Sequence, residues 1–127
     1  MSEDALHEKW QIQLRKGALE LVILAALRER PVYGLALLRH LQRFATTDIA
    51  EGTLYPLLDR LKREGLLTAS WVQEGENRPR KYYRLTASGE QKRVALEQAW
   101  RQSVADIDAL LAAPAGSEPP RKGTDND

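Results

Sequence analysis

The sequence predicts a mainly α-helical fold that carries one small β-hairpin and ends in a long helix, and three observations support this prediction. Leucines recur at helical spacing in successive segments before residue 65. A polar turn over residues 73–79 then separates two short segments with β-branched and aromatic character. Thr86 opens a further helical stretch that runs to about residue 112. Three helices, a hairpin and a closing helix follow one another in the order of a winged helix-turn-helix.

Composition limits the classes of protein and site that the chain allows. The chain has 127 residues, of which 43% are hydrophobic, so we expect one globular domain with a modest core. Without cysteine it has neither disulfides nor cysteine-ligated zinc, and His7 and His40 lie far apart, so no metal and no cofactor is expected. The N-terminus is polar and acidic, and the longest apolar run, residues 18–27, is too short to cross a bilayer. We therefore expect a soluble, cytoplasmic protein with no membrane partner.

The first two helices are predicted before residue 45. Residues 4–29 favour one helix, which is apolar almost all round over residues 18–27. Pro31 ends it, because proline disfavours helical geometry in the residue before it. Residues 33–44 favour a second helix, and a short loop over residues 45–48 leads to the third.

The third helix, over residues 50–64, has two faces of different character. Its apolar face carries Leu54, Leu57, Leu58 and Leu61. Its opposite face carries Gly52, Thr53, Pro56, Asp59 and Arg63. Because proline is tolerated only near the first turn, we expect the helix to begin as late as Gly52 or to bend slightly. The pattern predicts that the leucines pack inward and that the opposite face lies at the surface.

The outer face of the third helix and the hairpin have the side chains of a DNA-binding surface. Net charge is only +1, but cations concentrate beside this helix and after the hairpin tip. Thr53 and Tyr55 suit hydrogen bonds to phosphate oxygens or contact with a thymine methyl group. Arg60 and Arg63 suit phosphate or guanine, and a hairpin tip needs cations for the backbone or the minor groove. The predicted contacts of the tip are Arg78, Arg80 and Lys81.

The last helix carries an apolar stripe at intervals of three and four residues. The stripe consists of Leu96, Trp100, Val104, Ile107 and Leu111. Since three short helices and a hairpin offer little surface to cover it, we expect a homodimer; the alternative is that the stripe packs on its own domain. Trp10 and Trp71 are further candidates for the core or for a lining around Trp100. The predicted regions are 1–85 for a DNA-binding domain, 86–113 for a dimerisation helix and 114–127 for a disordered tail.

Four segments resemble the PadR family of bacterial transcriptional regulators. They are LRKGALELVILAAL (14–27), PVYGLALLRHL (31–41), GTLYPLLDRLKREGLL (52–67) and RPRKYYRLTASG (78–89). The resemblance covers roughly residues 12–112. The chain departs from the family's pattern at Ala50, where a Ser or Thr often caps the third helix, and in the GLALLRHL stretch of the second helix.

The resemblance implies a homodimeric repressor that binds an inverted repeat in double-stranded DNA. It implies dimerisation through the C-terminal helix, aided by the N-terminal one. The DNA-contacting positions carried over from the family are Thr53, Tyr55 and Pro56, the basic residues after them, and Arg80 and Lys81. Some family members hold flat aromatic ligands at the dimer interface, which leaves two roles open for Trp100: stacking on a small-molecule effector, or packing.

Other classes of function remain as alternatives. Taken singly, the third helix and the hairpin fit an ordinary amphipathic surface and a soluble turn, whereas together, in this order and spacing, they favour DNA. A winged helix also serves as a protein- or RNA-binding module without an operator. Catalysis is not expected, because no nucleophile lies beside a base and no Gly-rich phosphate loop is present.

Overall fold

The structure, a computed structural model, describes residues 2–116. Its elements are α1 (Glu3–Ala26), β1 (Val32–Tyr33), α2 (Gly34–Gln42), a 3-10 turn (Ala45–Thr47), α3 (Glu51–Arg63), β2 (Leu67–Val72), β3 (Arg80–Leu85) and α4 (Ala87–Ala112). The order of helices and hairpin confirms the winged helix-turn-helix. The predicted disordered tail over 114–127 lies outside the described residues, apart from its first three positions.

The sheet has a third strand that the sequence pattern did not reveal. Its order is β1-β3-β2, with β3 in the centre and both neighbours antiparallel to it. Val32 pairs with Tyr83 and Tyr33 with Tyr82. A strand of two residues has no periodicity of its own, so its pairing depends on a neighbour that is distant in sequence.

Two helices are shorter than predicted. α1 ends at Ala26 rather than at residue 29, because Leu27 leaves helical geometry (φ −101°, ψ 6°) and enters the core. α2 ends at Gln42 rather than at residue 44. The Thr47 hydroxyl donates a 2.6 Å hydrogen bond to the carbonyl of Leu41, which closes the end of α2 with the 3-10 turn.

The core lies between the first three helices and one face of the sheet. Its buried members are Ile23, Leu24, Leu27, Leu37, Leu38, Leu41, Ile49, Leu54, Leu58, Leu61, Leu66, Leu67 and Tyr83. Each fully buried aliphatic side chain contributes about 1.5–3 kcal/mol of transfer free energy. The α3 leucines are part of this core, with Leu57 half-buried at its edge, so the predicted inward stripe is confirmed.

α4 is fastened to the domain near its first turns. The Thr86 hydroxyl accepts a 3.0 Å hydrogen bond from the Gly89 amide and donates a 2.6 Å bond to the Gly65 carbonyl. Gly89 packs directly against the carbonyl of Leu66. Leu96 is half-buried against the core of its own chain. From residue 98 to residue 112, every α4 side chain is exposed, so most of the helix projects from the domain.

Candidate nucleic-acid interface

The outer face of α3 lies at the surface, as the leucine pattern predicts. Its exposed residues are Gly52, Thr53, Pro56, Asp59 and Arg63. The helix begins at Glu51, and the Ala50 carbonyl accepts hydrogen bonds from the amides of Thr53 (3.0 Å) and Leu54 (3.1 Å). Pro56 therefore lies inside the helix, where its missing N–H leaves one intrahelical bond unmade on the exposed side.

Tyr55 lies on the flank of α3 that faces the sheet. Its ring is half-buried, and the nearest ring atom and the hydroxyl lie 3.1 Å from the position that a Cβ would occupy on Gly34. The glycine at position 34 therefore leaves room for the Tyr55 ring. Burial, followed by the charge of Glu51, raises the pKa of Tyr55 above its ordinary value. The hydroxyl is therefore a hydrogen-bond donor throughout the neutral pH range.

The hairpin of β2 and β3 forms the wing (residues 67–85). Side-chain hydrogen bonds hold the tip of the wing in its conformation. The Gln73 amide donates to the Gly75 carbonyl at 3.0 Å and to the Asn77 carbonyl. The Tyr82 hydroxyl donates to the Glu74 carboxylate at 2.8 Å, and this bond is the main reason that the pKa of Tyr82 is raised. The Glu74 carboxylate is thus held in a hydrogen bond within the wing.

The cations of the wing rest on aromatic rings. The Arg80 guanidinium lies 5.0 Å from the Tyr33 ring centroid. The Lys81 ammonium lies 5.5 Å from the centroid of Tyr83 and 5.9 Å from that of Trp71. Cation–π contacts hold a positive group in place without neutralising it.

A cleft of about 400 Å³ separates α3 from the wing. Its lining includes Tyr55 and Asp59 from α3, and Trp71, Arg80 and Lys81 from the wing. The structure thus brings three of the sequence-predicted contacts, Tyr55, Arg80 and Lys81, to one place. We refer to this feature as the wing cleft.

Trp71 is a member of the wing cleft that sequence reasoning missed. The sequence leaves Trp71 as a residue of the core or of a lining around Trp100, and that interpretation is wrong, because Trp71 is 68% exposed at the far end of β2. Along β2, burial decreases from Leu67 through Ala69 to Trp71, because the strand leaves the domain body. The position of Trp71 next to the polar turn was the available signal.

The two arginines of α3 have different surroundings. Arg60 lies 3.4 Å from the Glu20 carboxylate and 3.5 Å from that of Glu64. These contacts direct it toward α1, on the flank away from the wing. Arg63, at the exposed end of α3, makes no ion pair within residues 2–116, and the same holds for the wing cations Arg78, Arg80 and Lys81.

Apolar side chains are exposed on the projecting parts of two helices. On α4 they include Trp100, Val104, Ile107, Leu110 and Leu111, whose exposed fractions range from 37% at Val104 to 77% at Leu111. On the first half of α1 they are Leu6, Trp10 and Ile12. Runs of exposed apolar side chains of this size usually mark an interface.

A groove of about 390 Å³ lies between α1 and α4. It is lined by Gly17 and Leu21 from α1 and by Leu96, Ala99 and Trp100 from α4, among others. A Cβ on Gly17 would meet no atom within 4 Å, so the groove is open at this point. Trp100 thus has one face toward its own chain and the other toward solvent.

The histidines do not form a site. His7 and His40 are both exposed, and His40 contacts Phe44 edge to face with a centroid separation of 6.5 Å. Within residues 2–116 no group of three or more His, Cys, Asp or Glu is placed to hold a metal ion. No helix in that part of the chain combines the length and the apolar character needed to span a membrane.

Comparison with known proteins identifies the family. Residues 23–95, from the second half of α1 to the first turns of α4, match the transcriptional regulator PadR-like family. The chain is similar to a PadR family transcriptional regulator from Eggerthella lenta DSM 2243, with 36% identity and a TM-score of 0.75 over 87% of this chain and 96% of that one. It is also similar to a PadR-like transcriptional regulator from Bacillus cereus, with 31% identity and a TM-score of 0.74 over 80% and 99% of the two chains.

A third relative comes from Lysinibacillus sphaericus. This uncharacterized protein is 26% identical over 98 residues, which cover 76% of this chain and 90% of the relative. The family match extends through the wing and into α4, so it includes α3 and the wing. The chain belongs to the PadR-like family of transcriptional regulators.

Proposed function

We propose that this protein is a homodimeric repressor that binds an inverted repeat in double-stranded DNA by sequence. The observation that carries the proposal is the wing cleft, where α3 lies beside Arg80 and Lys81, two cations that form no ion pair within residues 2–116. A DNA duplex that receives α3 in its major groove meets these wing cations without first breaking their salt bridges. Free cations beside an outward helix are the electrostatic features that duplex binding requires.

In this proposal, α3 enters the major groove. Thr53, Pro56 and Arg63 lie on its exposed face and face the base edges or the adjoining phosphates. The Tyr55 hydroxyl, a donor at neutral pH, bonds to a phosphate at the mouth of the wing cleft. Arg60 contributes less direct contact, since Glu20 and Glu64 share its charge.

The wing supplies the second set of contacts. Arg78, Arg80 and Lys81 follow the backbone or enter the adjacent minor groove. Trp71, directly across the strand pair from Lys81, packs its ring on deoxyribose beside the phosphate that Lys81 binds. Burying an exposed indole in this way adds apolar contact to an otherwise electrostatic interface.

Dimerisation is part of the same proposal. The exposed apolar residues of α4, from Trp100 to Leu111, pack against the same helix of a second copy, with the first half of α1 beside them. A two-fold axis places two α3 helices about 34 Å apart, one turn of the duplex. The protein acts in the cytoplasm, where the bacterial chromosome lies, and no catalysis is involved.

We further propose that a flat aromatic molecule relieves repression by stacking on Trp100 in the groove between α1 and α4. Such a ligand changes DNA affinity only if it prefers one dimer geometry to another. To test this part, a library of aromatic compounds is titrated against the complex of protein and operator, and release of the operator is measured. Loss of response in Trp100→Leu supports it, and an unchanged response contradicts the Trp100 site.

The decisive experiment is selection of bound duplexes from a random pool. A recovered palindrome with half-sites about one helical turn apart is expected, because the dimer has two-fold symmetry. Recovery of no consensus, or preferential capture of RNA in a parallel selection, would contradict an operator-binding protein and favour an interaction module of another kind.

Salt dependence tests which residues bind phosphate. In Arg80→Ala/Lys81→Ala, the slope of log affinity against log salt should fall by about 1.8, since each phosphate contact contributes about 0.9. The matched control is Arg28→Ala/Arg101→Ala, which removes the same charge away from the wing cleft. Equal slopes in the wing variant and the wild type would exclude these two contacts.

A further inference from the structure

Glu20 connects three helices through one carboxylate. It lies on α1 and is half-buried, with a side-chain exposure of 22%. One oxygen lies 2.7 Å from the Lys92 ammonium on α4, and the other lies 3.4 Å from the Arg60 guanidinium on α3. Arg60 in turn lies 3.5 Å from Glu64. Alternating charges therefore run from α3 through α1 to α4.

No other ion pair within residues 2–116 joins different helices. Arg28 pairs with its neighbour Glu29, Arg60 pairs with Glu64 at the end of its own helix, and the remaining pairs lie within α4 at a separation of three or four residues. The Glu20 pairs instead join residues that are 40 positions apart on α1 and α3, and α1 to the base of α4. Ion pairs within one helix stabilise that helix but do not orient it against another.

We propose that Glu20 is a positioning residue that fixes the angle between α3 and α4, and so sets the separation of the two α3 helices in the dimer. This inference rests on the proposed function and adds a determinant of operator spacing to it. Glu20 itself lies behind α3 and touches no DNA in the proposed complex.

Because α4 is long, a small change in the angle at its base moves its far end by a large distance. A helix of 26 residues is about 39 Å long. A tilt of about 5° at its base therefore displaces the far end by roughly 3 Å, and the rise of one base pair is about 3.4 Å. The apolar contacts of Leu96 hold α4 against the core but are not directional. The hydrogen bonds of Thr86 fasten α4 at its first turn, and the ion pair of Glu20 with Lys92, six residues further along, adds a directional constraint at a second point.

A distance measurement in the absence of DNA tests the constraint directly. The chain has no cysteine, so a single nitroxide at Gly52→Cys labels each α3, at a position where a Cβ meets no atom within 4 Å. Pulsed electron spin resonance on the homodimer then gives the distance between the two α3 helices. We expect one narrow distribution in the background protein, and a broader or displaced one after Glu20→Gln or Lys92→Gln.

The matched control is Arg101→Gln. It removes a cation from α4 as Lys92→Gln does, but Arg101 pairs with Glu97 on its own helix, so the distribution should not change. Unchanged distributions in both network variants would overturn the inference. If even the background protein shows no distance between protomers, the proposed dimer fails, and the inference fails with it for that separate reason.

Operator spacing provides the functional test. Duplexes carry the selected half-sites with the spacer at its optimal length or changed by one base pair. In Glu20→Gln and Lys92→Gln, the affinity ratio between the two duplexes should fall by about threefold or more, the scale of coupling between groups in one network. The base preference within each half-site should remain in Lys92→Gln, because this variant leaves the α3 side chains and the pair between Arg60 and Glu20 in place. Retained spacing discrimination would overturn the inference, and loss of half-site preference would show general damage to the domain, which also counts against it.

Lys92→Gln ensures that the test survives if Glu20→Gln fails to fold. The Lys92 side chain is 43% exposed, so its replacement buries no new polar group. Thermal unfolding of each variant confirms that a folded protein is compared. A folded Lys92→Gln protein with the wild-type distance and spacing preference overturns the inference by itself.

Discussion

Tyr55 packs against the core and has a proposed role in DNA recognition. Its ring fills space beside Gly34 at the edge of the core, and its hydroxyl lies at the wing cleft. Replacement by alanine would remove both contributions at once, so Tyr55→Phe is the sharper variant. Since burial raises the pKa of Tyr55, the hydroxyl stays protonated below its ordinary pKa, and its contribution to binding should not change between neutral and mildly alkaline pH.

Tyr55→Phe should weaken operator binding about tenfold, the effect of losing a hydrogen bond to a charged group. The midpoint of thermal unfolding should stay close to that of the wild type, because the ring still packs. Fluorescence anisotropy of a labelled operator and calorimetry measure the two quantities. Tyr82→Phe is the control, since that hydroxyl is bonded to Glu74. Equal operator affinities for Tyr55→Phe and the wild type would contradict the phosphate contact.

Trp71→Ala should reduce operator affinity with little loss of stability, because 68% of the residue is exposed in the free protein. The expected loss is about 1–3 kcal/mol, the scale of burying a large apolar side chain. Trp71→Phe should recover part of it. An unfolding transition shifted well below that of the wild type would instead assign Trp71 a structural role.

The α3 surface was predictable from the sequence, whereas several of its contacts were not. The leucine stripe determines which side of α3 is outward, since four positions share one face. The pairing of Arg60 depends on Glu20, 40 residues away, and no local pattern encodes that approach. The exposure of Trp71 likewise depends on where β2 leaves the domain body.

At the level of elements, short and irregular segments were the hardest to predict. β1 exists because Tyr83 and Tyr82 on β3 offer pairing partners, although residues 32–33 carry no alternation. α4, with its threonine cap and long apolar stripe, was predicted to within a residue at each end. Strong local signals define long helices, and tertiary pairing defines short strands.

Gly89→Ala tests how α4 is fastened to the domain. A Cβ at this position would lie 2.0 Å from the carbonyl oxygen of Leu66, which is backbone and cannot rotate away. We expect the free energy of unfolding to fall by about 1–3 kcal/mol, as for overpacked sites. Gly52→Ala is the matched control: its Cβ is unobstructed, so the helix should gain about 0.5–1 kcal/mol. Equal stability of Gly89→Ala and the wild type in urea titrations would contradict the close packing.

At the level of the whole molecule, the proposed function needs two copies of the chain. In the proposed complex one wing cleft binds one half-site, and α4 projects apolar side chains beyond the domain that carries it. A second copy that covers those side chains would also supply the second half-site contact. Dimerisation and operator recognition are therefore expected to fail together.

Ile107→Asp should separate the protomers, because it places a charge in the centre of the proposed interface, where its desolvation has no compensating partner. Ile107 is 55% exposed in the single chain, so the variant should fold normally as a monomer. Gln98→Asp is the control: position 98 is nine residues away on α4 and therefore lies on the opposite side of the helix. Sedimentation equilibrium should give half the wild-type mass for Ile107→Asp alone.

The affinity of Ile107→Asp for the inverted repeat should fall by about 100-fold or more, to that of an isolated half-site, since the second contact is no longer intramolecular. A variant that keeps the wild-type mass would show that the α4 stripe has another partner, and a monomer that keeps full operator affinity would show that one domain is sufficient for binding.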